Sequence, residues 1–161
     1  MDLDVRQDEA FQRREWRAQR IGWLLMTLFV LAGLIGVFGV GPLSWATTSS
    51  PDDVVTVEHD RVARFEADNS LTLTFGPDAV EDGAITVEMT GSWLAGVDLQ
   101  SIAPEPAEQR AVPDGVVWEL PVERPGEIDV TLTFRAQEVG TIGADVTVGG
   151  ETATFTQLVL P

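Results

Sequence analysis

From residue 54 onward, apolar and polar residues alternate in short runs, a pattern that predicts half-buried β-strands. The clearest runs are residues 70–75, 84–90 and 127–135, in which nearly every second residue is apolar. Further strands are predicted at residues 53–65, 95–102, 116–120, 141–148 and 152–160. Turn-forming residues separate these runs, and Gly149-Gly150 marks the tightest of the turns. Residues 54–161 are therefore predicted to form an all-β antiparallel sandwich of seven or eight strands.

The first of these regions, residues 53–65, is interpreted as one strand or a pair of strands. Val55 and Val57 are expected to face the core, and so are Val62 and Phe65 further along the same region. His59 is expected to point outward from the strand into solvent.

The pattern before residue 42 is different, because residues 21–40 carry no charge at all. About 20 helical residues span roughly 30 Å, the thickness of the hydrocarbon core of a bilayer. A single transmembrane helix is therefore predicted at residues 21–41, and a polar linker at residues 42–53. Trp23 and Trp45 lie near the two ends of the span, as expected of aromatic residues at a membrane interface.

Arginine residues cluster on one side of this predicted span. Arg13, Arg14, Arg17 and Arg20, together with Trp16, precede it and are assigned to the membrane interface. By the positive-inside rule, residues 1–20 form a cytoplasmic helical head, the helix crosses the inner (plasma) membrane, and the β domain is extracytoplasmic. A signal peptide cleaved after Ala46 is the alternative, although its apolar region would be unusually long.

Small residues lie close together in the second half of the predicted span. Ala32, Gly33, Gly36 and Gly39 allow another helix to approach closely. They are predicted to form a helix-packing face for a partner membrane protein or for a second copy of the chain. The other reading is that glycine is simply common in membrane helices.

Charge and composition narrow the classes of function. The formal net charge is −16, and it belongs to the chain beyond residue 20, where acidic residues far outnumber arginine. Such a surface repels nucleic acid and anionic lipid headgroups. The chain has no cysteine, which excludes disulfides, thiol nucleophiles and cysteine metal sites.

Few residues are candidates for a catalytic or metal-binding site. His59 is the only histidine, so sites that need two histidines are excluded. Asp78, Glu81 and Asp82 lie in one turn and are interpreted as solvated carboxylates rather than Ca²⁺ ligands. Trp93 and Trp118 are expected to pack in the core or at an edge rather than to form a ligand platform. Catalytic pairs of carboxylates that come together only on folding stay open. No catalytic residue, cofactor or metal is predicted.

The segment RPGEIDVTLTFRAQEVGTIGADVTV resembles the later strands of immunoglobulin-like domains. As a whole, the chain is similar to small single-pass bacterial membrane proteins whose outer domain is an immunoglobulin-like β-sandwich. The resulting hypothesis is a non-enzymatic, membrane-anchored accessory or assembly protein that binds a partner membrane protein. The alternative is an anchored extracytoplasmic domain that binds or senses a ligand.

Overall fold

The computed structural model describes residues 9–34, 44–122, 126 and 128–161, with side chains from residue 15 onward. Two α-helices are present in these ranges, α1 (Glu9–Leu34) and the short α2 (Ser92–Gly96), with a 3₁₀ turn at Pro77–Ala79. The strands are β1 (Trp45–Ser49), β2 (Val55–Asp60), β3 (Val62–Arg64), β4 (Asp68–Phe75), β5 (Ala84–Thr90), β6 (Val97–Ala103), β7 (Glu108–Val112), β8 (Gly115–Pro121), β9 (Ile128–Ala136), β10 (Gly140–Val148) and β11 (Glu151–Leu160).

The strands form two sheets. Sheet A has five strands in the order β1-β2-β4-β9-β6, and sheet B has six in the order β3-β11-β10-β5-β8-β7. Every strand pairing is antiparallel except the short parallel pairing of β3 with β11. The predicted all-β sandwich is confirmed, but eleven strands replace the predicted seven or eight within the described ranges.

Alternation along the strands builds the core between the sheets. In β9 the buried residues are Val130, Leu132, Phe134 and Ala136, while the residues between them are partly or fully exposed. The strand β11 follows the same rule over ten residues. Because successive side chains of a strand point to opposite faces, this pattern gives each sheet one apolar face that can be buried.

Trp93 and Trp118 are buried in this core, as predicted, with 0% and 2% of their surfaces exposed. The Trp93 ring packs edge-on against Phe134, with ring centroids 4.7 Å apart. Edge-to-face packing suits the charge distribution of aromatic rings.

Residues 53–65 differ from the prediction of one strand or a pair of strands with a common inward face, because the chain changes from one sheet to the other within this region. The strand β2 belongs to sheet A and β3 to sheet B. Between them, the Arg61 amide donates to the Ser44 carbonyl at 2.7 Å, and the Arg61 carbonyl accepts from the Leu158 amide at 2.9 Å. The switch resets which residues face inward. Ala63 is buried, whereas Val62 is half-buried and Phe65 is 37% exposed, so the prediction that these two face the core was wrong.

Two strands were not predicted. The strand β1 (Trp45–Ser49) lies within the expected linker of residues 42–53. The strand β7 (Glu108–Val112) has no buried residue, and therefore no apolar alternation marks it. Both are edge strands, which need fewer apolar residues than strands with two neighbours.

The prediction of a transmembrane helix is wrong. In the part of the chain that the structure describes, no helix is both long enough and apolar enough to cross a membrane. The described helix α1 combines a charged first half, up to Arg20, with an apolar second half. The rest of the predicted span, residues 35–41, lies outside the described residues. The predicted inner-membrane location depended on this span and is withdrawn with it.

Candidate functional site

A buried polar cluster lies where the chain changes from sheet A to sheet B. Gln157, in β11, is 1% exposed and joins two parts of the chain. Its Oε1 accepts a hydrogen bond from Trp93 Nε1 at 3.0 Å, and its Nε2 donates to the Asp60 carbonyl at 2.8 Å. The side chain thus satisfies a core indole and the last carbonyl of β2. Buried polar groups are stable only when they are paired in this way.

His59 belongs to the same cluster. The imidazole is 3% exposed, and its Nδ1 donates to the Asp60 carbonyl at 2.9 Å. A carbonyl can only accept, so Nδ1 carries a proton. The other ring nitrogen, Nε2, takes no part in this hydrogen bond. The prediction that His59 is solvated was therefore wrong. The signal that could have placed it was the alternation itself, since His59 follows Val55 and Val57 on the inward positions.

Asp60 lies at the edge of this cluster. Its carboxyl is partly buried, and this burial raises its pKa above the usual 3.8, while the nearby His59 acts in the opposite direction. Burial disfavours the charged form of an acid, which explains the direction of the shift.

A groove opens beside the cluster, between β1 and the edge of β11. The β1–β11 groove has a volume of about 660 Å³. It exists because β3 pairs with β11 only at Leu158, Val159 and Leu160, which leaves the earlier part of β11 without a neighbour on that side. The residues that line it are Ala46, Thr47, Thr48, His59, Arg61, Thr141, Thr154, Phe155, Thr156, Gln157 and Leu158.

A second groove opens on the opposite side of the sandwich, where both sheets end. The β6–β7 groove has a volume of about 600 Å³ and is lined by Leu99, Gln100, Ser101, Ile102, Glu105, Pro106 and Gln109. The strand β6 is the last strand of sheet A, and β7 is the last strand of sheet B. No residue of either strand is fully buried.

The core beside the β6–β7 groove contains an unpaired polar group. Trp118 Nε1 is buried and has no hydrogen-bond partner among the described residues. In the strand register Trp118 is opposite Gln109, which lines the groove. This indole therefore contrasts with that of Trp93, whose N–H is satisfied by Gln157.

Of the residues that sequence analysis selected for membrane contact, those with described side chains do not line either groove. Trp16, Arg17, Arg20 and Trp23 are exposed on α1, where the Arg20 guanidinium lies 3.6 Å from the centroid of the Trp16 ring. Trp45 is in β1 and is 57% exposed. The side chains of Arg13 and Arg14 lie outside the described residues.

The proposed helix-packing face is only partly described. Ala32 is half-exposed and Gly33 is exposed on α1, while Gly36 and Gly39 lie outside the described residues. Its role in packing stays a prediction.

The acidic turn offers no enclosed site. Asp78, Glu81 and Asp82 are all exposed, as predicted. Throughout the described ranges, no group of three or more histidine and acidic residues is placed to hold a metal ion.

Comparisons with known proteins give no family. No protein-family model matches the chain, and no curated protein matches it. Among solved structures, it is similar to a cohesin module from a Clostridium perfringens family 33 glycoside hydrolase, with 12% identity and a TM-score of 0.46, covering 70% of this chain and 98% of that one. It is also similar to domains 4 and 5 of the S-layer protein SbsC, with 9% identity and a TM-score of 0.41, covering 73% of this chain and 53% of that one.

Proposed function

We propose that this protein is a non-enzymatic binding module that receives an extended segment of a protein partner in the β6–β7 groove. The observation that carries the proposal is the ending of both sheets at one groove, in strands without an outer neighbour. An edge strand presents unpaired N–H and C=O groups, and an added strand satisfies them.

Features of this edge oppose pairing between copies of the chain. The pairing of β6 with β9 is shifted between Leu99 and Ser101, a bulge that interrupts a regular edge. Asp98, Glu105 and Glu108 add negative charge around the groove and are exposed. Because two copies of this edge would bring like charges together, the same charges that discourage self-association favour a basic partner.

The preferred occupant is therefore an extended segment that carries lysine or arginine at alternating positions. In a strand, alternate side chains face the same side, so basic residues at this spacing would face the acidic flank together. Charge complementarity of this kind raises the association rate and weakens as salt is added.

The test uses a synthetic ten-residue peptide of alternating lysine and valine and the isotope-labelled full-length protein. We expect backbone amide signals of residues 97–112 to shift on titration and the affinity to fall as salt is raised from about 20 to about 200 mM. The double substitution Glu105→Arg and Glu108→Arg should weaken binding by about tenfold or more, equivalent to about 1.4 kcal/mol. Glu108 is opposite Glu119 in the strand register, so reversing its charge also removes a like-charge pair and should not harm folding.

The matched control reverses two exposed acids elsewhere, Asp78→Arg and Glu81→Arg, with the same change in net charge. If binding depends on the groove, this control keeps most of its affinity. Equal losses in both double variants, or shifts spread evenly over the acidic surface, would show attraction by net charge alone and would contradict the proposal.

A further inference from the structure

The β1–β11 groove differs from the rest of the domain in the charges that line it. The chain carries 26 acidic residues, yet the ionisable side chains that line this groove are Arg61 and His59. Five threonine residues also line it, and their hydroxyls are hydrogen-bond donors. Two carboxylates lie near the lining residues: that of Asp60, whose charge interacts with His59, and that of Asp145, which accepts from the Thr154 hydroxyl at 2.6 Å.

Arg61 is not committed to another residue. Its backbone holds the crossing between the sheets, but its exposed guanidinium forms no ion pair or hydrogen bond with any described residue. The contrast is Arg135, which forms an ion pair with Asp68 at 2.7 Å. A free guanidinium presents a planar set of donors that fits carboxylate and phosphate oxygens.

His59 supplies a second, fixed polar group to the same groove. Its Nδ1–H is held by the Asp60 carbonyl, and its ring packs against Phe155 with centroids 5.1 Å apart. His59 is only 3% exposed, yet it lines the groove. The ring is thus held in one orientation. In the neutral ring Nε2 is an acceptor and does not bind an anionic oxygen, so His59 forms a fixed wall of the groove beside Arg61.

From these contacts we infer that the β1–β11 groove binds a small anionic group, a carboxylate or a phosphate, through the Arg61 guanidinium and the surrounding threonine hydroxyls, next to the His59 ring. The net charge of −16 repels anions at a distance. At physiological salt such repulsion is screened beyond about 8 Å, so short contacts with Arg61 determine the affinity.

His59 also makes the site easy to observe, because a chain with one histidine gives one set of imidazole C–H signals. The full-length protein is titrated separately with sodium acetate and with sodium phosphate at one fixed pH, with sodium chloride adjusted to hold the ionic strength near 0.15 M. We expect a saturable shift of the His59 ring signals with at least one of the two anions. The two titrations distinguish a carboxylate site from a phosphate site.

The deciding variant is Arg61→Gln, with Arg110→Gln as a control that has the same charge change on the opposite side of the sandwich. Arg61 holds the sheet crossing through its backbone, so its side chain can be replaced without removing those hydrogen bonds. We expect Arg61→Gln to weaken the shift by tenfold or more and Arg110→Gln to leave it unchanged. Shifts that do not saturate with either anion, or that respond equally to both substitutions, would overturn the inference.

Discussion

Among the described strands, the chain passes from sheet A to sheet B four times, and two of these crossings are built differently. At the first, between β2 and β3, the Arg61 backbone bonds to both β11 and the residue before β1. Gln157 and His59 satisfy the Asp60 carbonyl underneath. At the second, residues 104–107 lead from β6 to β7 around an open groove, and the nearby Trp118 indole is unpaired among the described residues. A groove lies at each of these two crossings, and the difference is in the core beneath them. We call the first the closed side, because Gln157 pairs the buried polar groups there, and the second the open side, because the Trp118 indole is unpaired among the described residues.

The largest difference in the free energy of unfolding between the two sides is expected from substitutions of glutamine. Gln157→Leu keeps the size of the side chain but leaves the buried Trp93 N–H unpaired and removes one bond to the Asp60 carbonyl. We expect it to lower the free energy of unfolding by about 2–3 kcal/mol, measured by urea denaturation of the full-length protein.

The matched control for this prediction is Gln109→Leu on the open side, where the side chain is exposed and should change stability by less than about 0.5 kcal/mol. Similar costs for the two substitutions would remove the distinction between the closed and open sides.

A smaller difference in stability is expected between substitutions of the two buried tryptophans. Trp93→Phe leaves Gln157 Oε1 without its donor and should cost about 1–2 kcal/mol. Trp118→Phe loses some apolar contact but also removes an unpaired N–H, so we expect a change within about 1 kcal/mol. Both values come from the same denaturation measurement. A larger loss for Trp118→Phe than for Trp93→Phe would indicate that its indole nitrogen has a partner.

The smallest effect concerns Asp60 and appears only as a dependence on pH. Because burial raises the pKa of this carboxyl, the folded state holds the proton more tightly than the unfolded state does. The stabilising contribution of this group is therefore complete below pH 3.8 and is lost as pH rises through the raised pKa. Asp60→Asn should be more stable than the wild type at pH 7, and this advantage should shrink at pH 3. An advantage that is equal at both pH values would exclude burial of the charge as the cause.

Much of the sandwich could be predicted because alternation is a local signal. The predicted strand at residues 84–90 matches β5, and the double-glycine turn between β10 and β11 is confirmed, with φ values of 59° for Gly149 and 85° for Gly150. Glycine adopts such positive angles without steric cost.

The remaining features depend on contacts between distant parts of the chain. The sheet switch at Arg61 requires partners at Ser44 and Leu158, which no local pattern specifies. The strand β7 is recognised only by its pairing with β8, because its own residues are exposed. For the predicted membrane span, a local pattern was present but misleading. Its composition suggested a long apolar helix, whereas the described α1 combines an apolar half with a charged one.

The position of Gln157 in the sequence also affects the rates of folding. Its bond to the Asp60 carbonyl joins residues 97 positions apart, and its bond with Trp93 spans 64 positions. Closing such long loops costs chain entropy before the contacts can repay it, so we expect these bonds to form after the transition state. Losing them would then speed unfolding and leave the folding rate nearly unchanged. The closed side of the sandwich would in this way set how long the native domain persists.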